Sequence, residues 1–97
     1  MSALMIATIA VKKPEVFQNY LAKTQEVAAR YGAELLFRGK SNGSLTKHDS
    51  DHGLVVVVRF PSVEKITEWI SSDDYQPLIP LRDEGADIKM SSYEIMS

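Results

Sequence analysis

The chain has 97 residues, of which 44% are hydrophobic and 25% are charged, and this balance is typical of one folded globular domain rather than a disordered or fibrous protein. Its 11 basic and 13 acidic residues give a formal net charge of −2, so it lacks the basic surface of a nucleic-acid-binding protein. It contains no cysteine, which excludes disulfides, thiol nucleophiles and cysteine-based zinc sites and fits a cytoplasmic location.

The first predicted element is a strand over Ala3–Val11. Apolar side chains occupy both of its sides, with Met5 and Ile9 on one and Leu4 and Ile6 on the other. A strand of this kind needs cover on both faces of its sheet. The apolar run that contains it lacks the basic start of a signal peptide and is too short to span a bilayer, so we expect no membrane partner.

A helix is predicted from Pro14 to the residues just before Gly32. Proline suits the first helical position because its missing N–H needs no partner there, and glycine ends helices because it readily adopts a positive φ. Apolar residues between them recur at three- and four-residue steps, which predicts one packed face. The next strand, Ala33–Gly39, carries Glu34 and Arg38 on its second side and therefore suits an edge of the sheet.

The strongest strand signal lies in Leu54–Phe60, which begins with five consecutive aliphatic residues. A run without polar alternation predicts a strand that is covered on both faces. Ser62 follows as the N-cap of a second helix, and Trp69 lies on the apolar side of that helix.

Two prolines, Pro77 and Pro80, interrupt the next segment and predict a short helical turn within an irregular arm. The last strand is predicted over Ala86–Met96. Its apolar residues change sides, with Ile88 on one side and Tyr93 on the other, which indicates a phase change or a bulge.

The order of elements predicts an α+β fold, the ferredoxin-like βαββαβ arrangement with a four-stranded antiparallel sheet, over residues 1–97. We expect the first and third strands side by side at the centre, running parallel to each other, with the second and fourth strands at the edges. Both helices then cover one face of the sheet. The other face stays apolar, and exposed apolar surface of that extent marks an interaction site. We therefore expect a homodimer in which two sheets pack face to face.

Several landmarks resemble the DUF1330 family of the dimeric α+β barrel superfamily: Tyr20, Gly32, Arg38-Gly39, Phe60-Pro61-Ser62, Trp69, Ser72, Tyr75-Gln76 and Arg82. The resemblance covers nearly the whole chain and is most specific between Phe60 and Arg82. The chain departs from the family's pattern at Ala33, Lys40 and Asp73. The resemblance implies a dimer of ferredoxin-like subunits, similar in fold to cofactor-free monooxygenases and muconolactone-isomerase-like proteins, but it implies no single activity.

Two arginines, Arg38 and Arg82, are candidate ligand-binding residues because a guanidinium can hold a carboxylate through two hydrogen bonds. Both coincide with the family-like positions and fall near the ends of apolar elements. Each could instead form an ion pair with Glu34, Asp83 or Glu84, either within the subunit or across the dimer. The candidate ligand is accordingly a small acidic or aromatic molecule.

Three aromatic residues, Tyr20, Trp69 and Tyr75, could line a pocket and offer a hydroxyl or N–H group to orient a ligand. Tyr20 and Trp69 also occur at the spacing of core residues, so simple packing is an alternative for both. Tyr75 begins the proline-interrupted arm, which could cover a cleft, and it is a candidate for moving a proton.

The loop His48-Asp49-Ser50-Asp51-His52 contains residue types that bind divalent metals. Ligands so close together in one loop rarely complete a tetrahedral site, and we expect neither a metal nor another cofactor. A solvated loop is one alternative. A catalytic role for His52 as a general base, oriented by Asp51, is the other.

Two classes of function follow. One is a non-catalytic dimeric module that binds a small ligand or a partner. The other is a cofactor-independent enzyme, monooxygenase- or isomerase-like, acting on a small apolar or aromatic carboxylate that Arg38 or Arg82 holds while His52 or Tyr75 moves a proton. A closed, polar-lined pocket containing Arg38, Tyr75 and Arg82 would favour the enzyme, and a filled interior would favour the module.

Overall fold

The computed structural model describes residues 2–46 and 50–96. Within them the chain forms four strands, three α-helices and one 3-10 turn. In chain order these are β1 (Ala3–Val11), α1 (Pro14–Ala29), β2 (Glu34–Lys40), β3 (Leu54–Phe60), α2 (Val63–Ser71), the 3-10 turn (Gln76–Leu78), α3 (Ile79–Gly85) and β4 (Ala86–Glu94). The strand order in the sheet is β2-β3-β1-β4, so the predicted centre and edges are confirmed. The fold is the predicted ferredoxin-like α+β arrangement.

The direction predicted for the two central strands is wrong. β1 and β3 pair antiparallel, as do β1 with β4 and β2 with β3. The crossover through α1 makes β2 run in the same direction as β1, and the connection from β2 to β3 then reverses the chain. β3 must therefore run opposite to β1, and the whole sheet is antiparallel.

The bulge predicted in the last strand is also wrong. β4 pairs with β1 without a break from Val11 opposite Ala86 to Ala3 opposite Glu94. Among the described strand pairs, the register shifts between Leu35 and Phe37 of β2 instead. The apolar residues of β4 change sides because the strand contributes to both faces of the sheet at different points along its length, not because its backbone is irregular.

Local signals explain where the helices begin and how the first one leads into β2. Pro14 begins α1, and the Ser62 hydroxyl accepts a hydrogen bond of 3.2 Å from the backbone N–H of Lys65 at the start of α2, as predicted. Gly32 has a φ of +83°, and a Cβ built on it would lie 2.7 Å from the ring of Pro61. Only glycine fits this turn, which holds the start of β2 beside the end of β3.

The molecule has two layers, one of helices and one of strands. Alternate β1 residues Ala3, Met5, Ala7 and Ile9 are buried and share a core with aromatic residues of the helices. We call the side of the sheet that these four residues face the covered face. The opposite side, the open face, carries Leu4, Ile6, Thr8, Phe37, Val55, Val57, Lys89 and Tyr93, which pair with one another across the strands. The predicted placement of the helices on one face of the sheet is confirmed.

Candidate functional site

A cavity of about 330 Å³ lies between α1 and the covered face of the sheet. It exists because α1 packs mainly against α3, whereas α2 packs directly on β1, β3 and β4. Short side chains widen the gap from both sides, since Ala7 of β1 and Ala28 of α1 both line it. The volume falls within the range of about 300 to 1,000 Å³ that is usual for small-molecule sites. The interior is therefore not filled, but it is not the polar-lined pocket expected of an enzyme either, because neither Tyr75 nor Arg82 lines it.

The lining is mostly apolar, and the polar groups it contains are few. Trp69 is 3% exposed, and its indole Nε1 is buried without a hydrogen-bond partner among the described residues. Its ring packs against Phe60 and Tyr75, with centroid separations of 5.4 and 4.7 Å. Thr24 also lines the cavity, and its buried hydroxyl has no well-formed hydrogen bond within the described part of the chain. Buried polar groups without partners are uncommon in folded proteins, so the indole N–H is available to donate a hydrogen bond to a ligand, and the hydroxyl is available to donate or accept one.

Two tyrosines and an arginine form a hydrogen-bonded row that begins at the cavity wall. Tyr20 lines the cavity, and its hydroxyl is 2.9 Å from that of Tyr75, which is completely buried. Behind them, the Arg82 guanidinium donates to the Tyr75 oxygen over 3.1 Å and to the carboxylate of Asp83 over 3.0 Å. Arg82 is thus held in place by two partners and does not line the cavity.

Burial and hydrogen bonding determine the pKa values of Tyr20 and Arg82. Burial, then the nearby Tyr75 phenol, raises the pKa of Tyr20 far above its usual value, and Thr24 and Arg82 offset this only in part. Burial also works against the charge on Arg82, but hydrogen bonds to Tyr75 and Asp83 outweigh it and raise the pKa of the guanidinium. Tyr20 is therefore a neutral phenol and Arg82 a fixed cation at neutral pH.

Arg38 lies at the mouth of the cavity. It is on β2, opposite Val56, and its side chain lines both the cavity and a more open groove next to it. Within residues 2–46 and 50–96 it forms no ion pair or hydrogen bond, so it is not paired with Glu34 of its own subunit. Glu34 instead faces Arg59, with 3.9 Å between the charged atoms.

His52 lies on the other side of the sheet. Its Nδ1 is 3.0 Å from the Thr8 hydroxyl and its Nε2 is 2.9 Å from the Asp87 carboxylate, both on the open face. Because a carboxylate only accepts hydrogen bonds, Nε2 carries a hydrogen. Asp51 is 3.9 Å from the same nitrogen, so three possible metal ligands lie within 4.8 Å of one another, although the two acids are exposed. His48 and Asp49, the rest of the predicted loop cluster, lie outside the described residues.

The structure therefore brings some of the predicted site residues together and separates others. Tyr20, Arg38 and Trp69 line one cavity, with Tyr75 and Arg82 in the row behind Tyr20. His52 is divided from all five by the sheet. Thr24, Ala7 and Ala28 were not identified from the sequence as cavity residues. The signal that could have indicated a cavity is a small residue, such as Ala28, at a core position of α1.

Comparison with known proteins identifies the family to which this chain is similar. The family model of DUF1330, a domain of unknown function, matches residues 2–95. A comparison with curated proteins gives no significant match. Among the described residues, no helix combines the length and apolar character needed to cross a bilayer.

Solved structures share the fold at low sequence identity. RPA0582, a protein of unknown function from Rhodopseudomonas palustris, is 17% identical with a TM-score of 0.83, covering 99% of this chain and 83% of its own. SnoaB, a cofactor-independent oxygenase from Streptomyces nogalater, is 12% identical with a TM-score of 0.70, covering 99% and 94%.

A dimeric ferredoxin-like protein of unknown function from Jannaschia sp. CCS1 is 8% identical with a TM-score of 0.70, covering 98% of this chain and 100% of its own. At such low sequence identity, these similarities show a shared fold and nothing more. The family model, in contrast, matches residues 2–95 of the sequence, and this chain therefore belongs to the DUF1330 family.

Proposed function

We propose that this chain is a homodimeric, non-catalytic binding protein for a small, largely apolar molecule, which occupies the cavity under α1. One observation carries the proposal: a cavity of about 330 Å³ has an apolar lining, and one of its lining residues, Trp69, has a buried indole N–H without a partner among the described residues. An empty cavity lowers stability, and a ligand that fills it and accepts from Trp69 would recover that loss. A cytoplasmic location is compatible with the lack of cysteine.

The groups available for chemistry support binding over catalysis. Tyr20, whose side chain lines the cavity, is kept protonated by burial. His52, the residue type most suited to proton transfer at neutral pH, is on the opposite side of the sheet. The cavity therefore offers hydrogen-bond donors and apolar contact, which are what a binding site requires.

Fluorescence of Trp69 gives a direct test of ligand binding, because it is the chain's one tryptophan and it lines the cavity. Titration with octanoate and with 1-octanol should change its emission in a saturable way. Ala28→Leu adds bulk to the cavity wall and should weaken binding at least about tenfold, which corresponds to 1.4 kcal/mol. Ala29→Leu adds the same bulk on the exposed side of α1 and should bind like the parent. Saturable binding that is equal in both variants would refute the cavity as the site.

The homodimer is proposed from the open face. Leu4, Ile6, Val55 and Val57 give the centre of this face an apolar surface, and Phe37 is 52% exposed beside them. The Jannaschia protein with the same fold is dimeric. Two such faces packed together would remove this surface from water and add to the modest core of a 97-residue chain.

Analytical ultracentrifugation at micromolar concentration tests the dimer. The parent should sediment as a dimer, whereas Val57→Lys, which places a charge at the centre of the interface, should be a folded monomer. Ala22→Lys, on the exposed side of α1, is the matched control and should remain dimeric. A monomeric parent would end this part of the proposal.

A second function has one specific observation in its favour, the row of Tyr20, Tyr75 and Arg82 at the cavity wall. Its fixed positive charge could stabilise negative charge that develops on a bound aromatic carboxylate during cofactor-independent oxidation, and SnoaB shares the fold. Oxygen uptake with small aromatic acids as substrates distinguishes the two functions. Uptake that falls in Tyr75→Phe would favour the enzyme, and no uptake above the rate without protein would favour binding alone.

A further inference from the structure

We infer that the ligand of the cavity is an amphipathic organic acid, bound with its carboxylate at Arg38 and Lys40 and its apolar end against Trp69. This inference rests on the proposed binding function and adds the ligand's chemical class and its orientation. Both follow from the placement of charge around the cavity.

Arg38 is the cation suited to receive the acid. It lines the cavity, and within the described residues no acidic side chain neutralises it. Arg82, the other arginine considered from the sequence, already donates to Tyr75 and Asp83 and faces away from the cavity lining. A guanidinium without a partner beside an apolar cavity is complementary to a carboxylate that carries an apolar body.

A second positive charge lies next to Arg38. An open groove continues from the cavity, sharing Ile9, Phe17, Leu21, Arg38 and Val56 with it, and its other lining residues include Gln18 and Lys40. Lys40 likewise has no ion pair among the described residues. The groove is therefore cationic at the edge of the sheet and less strongly apolar than the cavity proper, although aliphatic and aromatic side chains form most of its lining.

The difference in charge between the groove and the cavity determines how the ligand is oriented. A carboxylate keeps part of its hydration and gains two cations if it lies in the open groove, whereas at the Trp69 end it would be buried beside a single N–H donor. The apolar end of the ligand gains most at the enclosed end, where Phe60 and Trp69 form the wall. An acid with a chain or ring of several carbons spans both regions.

The test compares three probes of equal chain length by Trp69 fluorescence: octanoate, 1-octanol and octylammonium. The parent should bind octanoate most tightly. Arg38→Gln should weaken octanoate about tenfold or more, because a charge-assisted hydrogen bond is lost, and leave 1-octanol unchanged. Lys40→Gln should act in the same direction with a smaller effect. Arg59→Gln removes an equivalent charge near the open face and is the control, with binding as in the parent.

Orientation is measured with octanoate that carries bromine, a short-range quencher of indole fluorescence, either on the terminal carbon or on the carbon next to the carboxylate. Terminal bromine should quench Trp69 more strongly at equal occupancy.

Equal binding of octanoate and 1-octanol by the parent, or octanoate binding unaffected by Arg38→Gln, would overturn the inference that the ligand is an acid while leaving the binding function in place. Stronger quenching from bromine next to the carboxylate would overturn the orientation. If none of the three probes bound, both the inference and the binding function would fail.

Discussion

The two faces of the sheet are built from the same strands, yet they meet different demands. On the covered face, alternate residues of β1 are buried against helices, and the aromatic side chains of Phe60 and Tyr75 are completely enclosed. On the open face, the intervening residues are partly exposed, and Phe37 and Tyr93 are about half exposed. Both faces are apolar, but among the residues that the structure describes, helices cover only one of them.

This difference shows how apolar composition alone misleads about what a residue does. The apolar side chains of the covered face contribute to folding, except under α1, where the same character lines a cavity. Those of the open face are available for contact with another molecule. The two faces also differ in their polar groups, since the covered face holds the row of tyrosines and the open face holds His52 with its partners.

The largest expected effect comes from truncating one phenylalanine on each face. Phe60→Ala should lower the free energy of unfolding by about 3 to 5 kcal/mol, because it removes a fully buried ring that packs against Trp69. Phe37→Ala should lower it by less than about 1 kcal/mol when measured at a concentration where the protein is monomeric. Urea unfolding followed by circular dichroism measures both.

Protein concentration sharpens this comparison. The cost of Phe60→Ala should be the same at every concentration, whereas that of Phe37→Ala should grow as the chain associates through the open face. If the loss of unfolding free energy in Phe37→Ala did not change with protein concentration, the open face would not be the surface through which the chain associates.

A smaller effect is expected from removing one hydroxyl on each face. Tyr75→Phe should destabilise the protein by about 1 to 3 kcal/mol, because the Tyr20 hydroxyl and the Arg82 guanidinium both lose a buried hydrogen-bond partner. Tyr93→Phe, at an exposed position of the open face, should change stability by no more than about 0.5 kcal/mol. If urea unfolding gave the same stability for both variants, the row behind the cavity would be energetically unimportant.

Much of the architecture could be predicted because it depends on local signals. Pro14 and Ser62 mark the helix starts through backbone chemistry that acts within one turn, and the aliphatic run of β3 requires a central position. The predicted direction of β3 relative to β1 was wrong because that direction depends on topology: the antiparallel pairing of β2 with β3 reverses the chain. The mistaken bulge arose because apolar residues on both sides of β4 resemble a break in periodicity.

The site was harder to predict than the fold, for a physical reason. Ala7 and Ala28 fit a tightly packed core as well as they fit a cavity, and only the distance between α1 and the sheet distinguishes the two. Tyr20 and Trp69 were considered both as core and as pocket residues, and in the structure both are buried and both line the cavity. His52 could not be assigned to a face from the sequence, because the loop before β3 has no periodicity to place it.

The smallest expected effect concerns the pH dependence of the open face. A hydrogen bond from His52, with contributions from its charge and from Lys89 and Lys12, lowers the pKa of Asp87 below its usual 3.8. A carboxyl whose pKa is lower in the folded state stabilises the fold above its unfolded pKa, and this contribution disappears as the pH falls through the folded value. Asp87→Asn should therefore reduce the urea midpoint slightly at pH 7, and the difference from the parent should shrink towards zero below the lowered pKa.

Asp73→Asn provides the control, since Asp73 is exposed and has no ion pair or hydrogen bond in the described part of the chain. Its urea midpoint should follow that of the parent at both pH values. A difference between Asp87→Asn and the parent that stayed constant from neutral to acid pH would mean that the Asp87 charge does not stabilise this face. Because Asp87 is on the open face, the same measurement in Val57→Lys, which should be monomeric, would show whether the contact operates within one subunit or depends on a second copy.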